Sequence, residues 1–375
     1  YNERDEAQYV IRKIKELINR NIEYKDIAVL YRTNAQSRVL EEEMLKENLP
    51  YRVIGSFYFY SRKEIKDLIA YLRLIHNSRD NVSLLRVINT PKRGIGLKTI
   101  ENLTKKADLE NISIYEAISS GKELEFKNLI ERLKEVSQDL TLTELIDKVL
   151  DASGMKQELE SEKTLEAEVR LENLEEFKSI TKSFEEREGL ISLEDFLLEI
   201  SLISDVEEYK DDPNRISLMT VHSVKGLEFD HVFVVGMEEG IFPHANSLLE
   251  DNGLEEERRL CYVGITRAKE ILYLTNSNRR MLYGKDTMNP PSRFIDEIKS
   301  DYIERIDTIK DETQKIASSE MYIEGSNDDL NVGDTINHDT LGIGVVLSVD
   351  GSLIEVAFKT GIKKLMKNHK SIKKV

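Results

Sequence analysis

Ile27-Ala-Val-Leu-Tyr31, followed at once by Arg32-Thr33-Asn34, is the stretch that decides the fold. An unbroken apolar run with no polar alternation reads as a strand buried on both faces, the mark of a parallel sheet covered by helices. Upstream, Ala7, Val10, Ile11, Ile14, Leu17 and Ile18 recur at helical spacing across residues 3 to 20. Downstream, Asn34-Ala-Gln-Ser-Arg-Val-Leu-Glu-Glu-Glu-Met-Leu opens a helix, and Pro50-Tyr-Arg-Val-Ile-Gly55 gives a strand and a turn. Ser61-Arg-Lys-Glu64 has the spacing of a capping box and heads a helix through Leu74. Strand and helix alternate, so an α/β domain has begun.

From about Asp80 to Pro213 only helical periodicity continues, as in Val82–Ile88, Leu142–Leu150 and Leu174–Phe184. Strands return at Ile216–Val221, Asp230–Gly236 and Ile271–Thr275. The pattern predicts an α/β domain in two parts, 1–79 and 213–298, interrupted by an all-helical insertion over 80–212. Residues 299–328 are polar and charged and read as a flexible linker. Asp334-Thr-Ile-Asn, Gly344–Val349, Leu353–Phe358 and Ile362–Met366 are short strands between turn residues, so 329–375 reads as a small β-barrel.

A length of 375 residues suits two or three domains, and 33% charged with 40% hydrophobic residues fits a water-soluble, helix-rich chain. No apolar run approaches the roughly 20 residues of a membrane helix, and no signal-peptide pattern is seen. A single cysteine, Cys261, gives no internal disulfide framework and points to a reducing, cytoplasmic setting. The scattered histidines give no metal-ligand spacing. Tyr1 in place of Met reads as a chain processed or cut from something longer. The formal net charge of -16 argues against a wholly nucleic-acid-coated molecule, yet charge is uneven. Acids outnumber bases more than two to one between Lys156 and Asn214, whereas Lys359–Val375 holds seven lysines and no acid.

Polar clusters sit where these strands end. Arg32 follows a buried strand at the carboxyl end, where open α/β sheets place ligands. It reads either as a phosphate-directed guanidinium, with Tyr31 offering a ring to a base, or as an arginine paired with a nearby acid. Ile216-Ser-Leu-Met-Thr-Val-His-Ser-Val-Lys-Gly-Leu-Glu228 delivers Thr220, His222 and Lys225 ahead of a glycine turn. A hydroxyl, an imidazole and an ammonium so placed suit backbone phosphates, and Glu228 a ribose hydroxyl; the plain alternative is a polar loop. Glu255-Glu-Glu-Arg-Arg-Leu-Cys-Tyr-Val-Gly-Ile-Thr-Arg267 puts acids first and Arg267 last on one helix, which matches the helix dipole. It also matches the way phosphoryl-transfer enzymes deliver an arginine finger. Thr90-Pro-Lys-Arg-Gly-Ile-Gly96 sets Lys92, Arg93, Gly94 and Gly96 before a helix starting near Leu97, either a phosphate site at a helix start or a tight inter-helix turn. Gly55-Ser-Phe-Tyr-Phe-Tyr-Ser-Arg62 clusters aromatics with an arginine, for stacking on bases or for the core.

No Gly-x-x-x-x-Gly-Lys-Ser/Thr loop occurs; Gly121-Lys122 and Gly284-Lys285 lack its context. Asp311-Glu-Thr-Gln314 mimics an acidic ATPase box but follows no buried strand.

Taken together, the chain resembles the C-terminal half of UvrD/Rep-type superfamily 1 DNA helicases, in their PcrA branch. Leu30–Arg38 is similar to helicase motif IV, Phe59–Asp67 to motif IVa, Thr220–Glu228 to motif V and Glu256–Lys269 to motif VI. The resemblance spans essentially all 375 residues. It implies a second RecA-like domain (2A) formed by the two α/β parts, a helical 2B insertion, and an SH3- or Tudor-like tail. It implies that Tyr31 stacks on adenine, that Arg32 and Arg267 reach the γ-phosphate of ATP, and that Glu228 contacts the ribose. Arg62, Thr220, His222 and Lys225 would line the single-strand track. The Gly94-Ile-Gly96 turn, with Lys92 and Arg93, would hold duplex DNA by its backbone. ATP and Mg²⁺ would serve the full-length protein, with none held tightly here, because the first RecA-like domain carrying the phosphate loop would be a separate, missing partner. The tail would contact RNA polymerase. The function implied is ATP-driven 3′ to 5′ translocation on DNA in repair and replication. A non-catalytic module for DNA and RNA polymerase is the alternative. A recombination nuclease is a third, weakened by the absence of a paired-carboxylate metal pattern.

Overall fold

The computed structural model describes residues 1–188, 192–204, 213–306, 330–338, 341–350, 353–359, 361–367 and 371–374. The elements in chain order begin with α1 (Glu3–Ile18), β1 (Ile27–Tyr31), α2 (Ser37–Lys46) and β2 (Tyr51–Ile54). Then come α3 (Lys63–His76), α4 (Asn81–Val87), α5 (Leu97–Glu110), α6 (Ile114–Ala117), α7 (Gly121–Val136), α8 (Leu142–Ser153), α9 (Met155–Glu162), α10 (Leu165–Glu188) and α11 (Leu193–Ser204). Next are β3 (Ile216–Thr220), β4 (Phe229–Val234), α12 (Gly253–Ile265), β5 (Ala268–Leu274), β6 (Arg280–Leu282), β7 (Lys285–Thr287) and α13 (Arg293–Asp296). The last are β8 (Thr335–His338), β9 (Gly342–Asp350), β10 (Leu353–Phe358), β11 (Gly361–Met366) and β12 (Ile372–Lys374).

Contacts divide the chain into two compact units, Tyr1–Arg62 with Leu202–Glu320, and Lys63–Ser201 with Met321–Val375. The first unit is built on a five-stranded sheet in the order β2-β3-β1-β4-β5. Every pairing in it is parallel, with Tyr31 opposite Thr220 and Leu30 opposite both Met219 and Val234. β1 is buried at all five positions, as its unbroken apolar run requires. Its alternation sends Ile27, Val29 and Tyr31 to a core shared with α1 and α2. Ala28 and Leu30 go to the opposite core, which holds Cys261 of α12. The α1 helix is closed by a capping box between Asn2 and Asp5. A buried network fastens it to the sheet edge: Arg280 donates to both Glu6 and Glu238, with Glu238 accepting from Arg280 Nη2 at 2.6 Å.

The second unit carries the helices. The contact boundary falls at Arg62/Lys63, so α3, which the sequence pattern keeps with the sheet through residue 79, packs against α4, α7, α8 and α10. Glu64 does not stay local at the start of α3: its carboxylate accepts from Asn173 Nδ2 of α10 at 2.7 Å. The expected helical periods appear as α4, α8 and α10. In the same unit β8–β12 form a five-stranded antiparallel sheet, order β11-β10-β9-β8-β12, around Leu330, Ile336, Val346, Ile354, Val356, Phe358, Leu365 and Ile372. The expected end of the insertion at 205–212, the tail's first residue, and the expected linker from 307 through 328, with its Asp311–Gln314 segment, lie outside the described residues.

Candidate nucleotide and nucleic-acid interface

In the sheet unit, β1 lies between β3 and β4, so the chain must cross over it to make β4 from β3. Open parallel sheets bind ligands outside the carboxyl ends of strands at such a reversal. Arg32 follows β1 there, and Val221-His222 follows β3 alongside it. Arg32 is not a free surface arginine. Its Nε reaches Glu257 Oε1 at 3.1 Å and Oε2 at 3.0 Å, and its Nη2 reaches Oε1 at 2.6 Å. Its backbone N–H is accepted by Gln36 Oε1 at 3.0 Å. Glu257, on α12, also accepts from the His244 N–H and the Ser247 hydroxyl, each at 3.0 Å. Burial pushes the Glu257 carboxyl up, but these hydrogen bonds and the Arg32 charge outweigh it and hold it below the usual carboxylate range. Partial desolvation, followed by the Arg32 charge, pushes both His222 and His244 below the ordinary imidazole value, against a smaller opposing pull from Glu257.

Arg267 sits elsewhere along the sheet. α12 ends at Ile265, so Arg267 lies past the helix in the turn into β5, not on the helix as its acid-first, base-last pattern suggests. Its Nε donates to Val263 O at 2.9 Å, Nη1 to Leu227 O at 3.3 Å and Nη2 to the Thr266 hydroxyl at 3.0 Å. Phe229 N–H donates to Arg267 O, so Arg267 stands at the amino ends of β4 and β5, and Arg32 at the carboxyl end of β1. The two arginines are anchored at Glu257 and Val263 of α12, six residues apart and so separated by about 9 Å of helix rise. Glu228 and Lys225 are exposed in the loop that leads to β4, beside the Arg267 turn.

Three side chains assigned to ligand contact are turned inward, which corrects the sequence-based roles. Tyr31 is 0% exposed, because it shares the α2-facing side of β1 with Ile27 and Val29, so it presents no ring to a base. Arg62 is buried: it donates to Phe57 O, Asn34 O and Ser37 Oγ and stacks over Phe59, so it clamps its own loop instead of lining a strand track. Arg93, in the helical unit, donates to Val87 O, Pro91 O, Ser153 O and Tyr71 Oη, a set that fastens helices together. Of the other expected contacts, His222, Lys225, Lys92, Gly94 and Gly96 are exposed, and Thr220 is half-buried with its hydroxyl 2.9 Å from Ser223 Oγ. Of the aromatic cluster, Phe59 and Tyr60 join the core, whereas Phe57 is 75% exposed on the loop after β2. That loop touches the loop after β3, since a Cβ on Gly55 would meet Ser223 Oγ at 2.8 Å.

The profile of the UvrD-like helicase C-terminal domain matches residues 1–279. The chain belongs to the UvrD-like helicase C-terminal domain family. It is similar to the ATP-dependent DNA helicase PcrA of Staphylococcus aureus, 42% identical with 99% of this chain and 55% of that protein covered. The protein of the same name from Staphylococcus epidermidis is also 42% identical, with 97% and 54% covered. The chain spans about half the length of these curated relatives.

Within this UvrD-like chain the sequence pattern missed Glu257, His244, Ser247 and Gln36. Glu257 is the last of three consecutive acids, and nothing in the run distinguishes it from its exposed neighbours. Its only mark is the partner 225 residues away. Among the described residues no group of three or more His, Cys, Asp or Glu side chains converges to hold a metal ion, and no residue here is assigned as a ligand to Mg²⁺. No helix among the described residues is long and apolar enough to cross a membrane.

Proposed function

We propose that this UvrD-like chain is the C-terminal portion of an ATP-driven DNA helicase that moves 3′ to 5′ on single-stranded DNA, and that it supplies the arginine side of the nucleotide site. The observation that carries this is Arg267 at the amino ends of β4 and β5, beside the exposed Glu228, while Arg32 stands at the carboxyl end of β1, forked onto Glu257 by one edge only. Nη1 has no partner among the described residues and is not among the buried unpartnered atoms, so it is open to a ligand. Arg267, leaving its carbonyl partners, would meet the triphosphate at the amino ends of β4 and β5, and Glu228 beside it would meet the ribose. A guanidinium brought to a transferring phosphoryl group neutralises charge that spreads over its oxygens. The phosphate loop would come from a second RecA-like domain, since no such loop occurs in these 375 residues.

Single-stranded DNA would run over the carboxyl ends of β2 and β3, where His222, Lys225, Thr220 and the exposed ring of Phe57 share adjoining loops. Duplex DNA would meet the amino end of α5. There Asn89 Oδ1 accepts from the Arg93 and Ile95 N–H groups and so holds the Gly94-Ile95-Gly96 turn in shape. The N-cap Gly96 has no side chain to cover the first-turn N–H groups, which suits phosphate oxygens, and Lys92 stands exposed beside them. RNA polymerase would dock on the tail sheet, where Ile343, Val345 and Leu347 of β9 and Ile362 of β11 are exposed.

The test is ATP hydrolysis by the full-length protein and by this chain alone. Arg32→Ala and Arg267→Ala should each lower DNA-stimulated kcat of the full-length protein by about 10³-fold or more. The chain alone should turn over no ATP above its own double variant. Activity in the isolated chain, or full activity in both single variants, would overturn the assignment. The purely adaptor alternative predicts intact DNA binding with no ATP dependence in the same assays.

A further inference from the structure

Charge along this chain is divided between two segments that the fold brings together. Acids outnumber bases more than two to one from Lys156 to Asn214, whereas Lys359–Val375 holds seven lysines and no acid. The tail sheet and the helical insertion fall in one compact unit, and β11 meets the helices through its side chains. Among the described strands β11 is an edge of its sheet, paired with β10 alone. An open edge is a template for stray pairing, and charged side chains, lysine above all, guard it. Lys363 stands opposite Val356, a core position, yet its side chain is 30% exposed and its Nζ reaches Asp195 Oδ2 of α11 at 3.2 Å. Lys364 points to the other face of the strand, and its ammonium donates to the Gln138 carbonyl just past the end of α7. Both receiving points are negative for a physical reason. Glu194 and Asp195 are the acids of the first turn of α11, and the carboxyl end of α7 is the negative end of its dipole.

We propose that the β11 edge is an electrostatic latch: Lys363 and Lys364 dock the tail on the acidic side of the helical insertion and are thereby withheld from nucleic acid. The partner of this lysine edge is then the chain's own insertion, whether or not the helicase reading holds. Two attachments on opposite faces of one strand fix how the tail lies, where a single ion pair would only tether it. Each contact is of the partly exposed kind that contributes little and weakens with salt, so the latch opens readily. The apolar row of Ile343, Val345, Leu347 and Ile362 stays uncovered while the latch is closed. The docked tail therefore presents its apolar face and engages its lysine edge, and ionic strength sets the balance between docked and released tail.

The experiment uses the full-length protein and reads the contact first by carbodiimide coupling, which joins an amine to a carboxylate in direct contact, followed by peptide mass spectrometry. The Asp195–Lys363 link should form in about 50 mM salt and drop by about fivefold or more in about 500 mM salt, where the screening length shrinks to roughly 4 Å. Energy transfer between dyes on Glu135→Cys of α7 and Val332→Cys of the tail, both exposed positions, follows docking without needing the pair itself. Transfer should fall in Asp195→Lys and return in the charge-swapped Asp195→Lys/Lys363→Asp. Finally, Lys363→Gln/Lys364→Gln should leave the Kd for DNA within about twofold and its salt dependence unchanged, because docked lysines release no counterions from DNA. Absence of the link at low salt, transfer indifferent to Asp195→Lys, or failure of the swap to restore it would each overturn the latch. A weaker Kd with a shallower salt dependence in the double lysine variant would overturn it too, by placing these lysines on nucleic acid.

Discussion

Arg62 and Phe57 sit five residues apart and carry opposite duties, and the contrast is decided by burial. Arg62 satisfies Asn34 O, Ser37 Oγ and Phe57 O from inside the sheet unit. Arg62→Ala would leave those acceptors unpaired in a closed space and should cost about 3 kcal/mol in urea unfolding. DNA affinity per folded molecule, read by fluorescence anisotropy, should not change; a loss of affinity without a loss of stability would restore it to the strand track. Phe57 is the reverse case. Its exposed ring stabilises little, so Phe57→Ala should leave the unfolding midpoint in place while weakening single-strand binding by about 1 to 3 kcal/mol, the range for a base stacked on an aromatic ring. Parental affinity in Phe57→Ala would remove it from the interface. The histidines beside Arg32 give a pH signature. His222 and His244 titrate below the ordinary imidazole value when folded, so the unfolded chain takes up protons first as pH falls. Their contribution to stability is complete above about pH 6.5 and is lost as pH drops through the folded values. The lowered Glu257 carboxyl adds a second loss only in the acid range, below about pH 4.3. His244→Gln should flatten the decline in unfolding free energy between pH 7.5 and 5; an unaltered slope would show that His244 does not titrate there.

At the scale of elements, the strands that place the candidate site were legible in the chain itself. β1 declares its burial through five apolar residues, and the strands at 216 and 229 announce themselves in the same way. What the sequence does not carry is which face a strand residue takes when both faces are covered. Tyr31 and Leu30 are neighbours that can both be buried, and the packing of α2 on one side and α12 on the other separates them. The three-residue strands β6, β7 and β12 are too short to carry a period. The Arg32–Glu257 pair was not legible for another reason: a helix that begins with acids is already explained by its dipole. α12 therefore deserves a test as a unit. Gly253 packs its Cα against the Ser247 carbonyl, and Gly253→Ala should destabilise the sheet unit by about 3 kcal/mol through overpacking. Gly96→Ala, where an added Cβ meets nothing within 4 Å, should leave stability nearly unchanged. Equal midpoints for the two variants in thermal unfolding would mean that α12 is free to shift away from the loop before it.

For the whole molecule, charge and core placement bear on what can be removed. A net charge of -16 sets a repulsive background for DNA, so the proposed binding would have to come from local groups such as Lys225, Lys92 and the open helix start of α5. Binding of that kind weakens as salt rises, because each neutralised phosphate releases counterions. The tail has an apolar core of its own. Among the described residues its core runs from Leu330 to Ile372, and its sheet is joined to the helices of its unit through surface contacts such as Lys363 with Asp195. β9 alternates exposed Ile343, Val345 and Leu347 with buried Gly344 and Val346, and register carries the exposed row from Val345 through Ala357 to Ile362. An apolar row that crosses three strands and faces water does nothing for the tail's own stability. Deleting 329–375 from the full-length protein should therefore leave DNA-stimulated ATP hydrolysis and unwinding near parental levels. Capture of RNA polymerase in a pull-down with the purified enzyme should be lost, and Ile362→Glu, a single charge placed in the exposed row, should lose it too. If the deletion keeps polymerase capture, the docking surface lies elsewhere in the chain; if Ile362→Glu alone keeps it while the deletion abolishes it, the contact is made by the tail through a different face, such as its lysine-rich end.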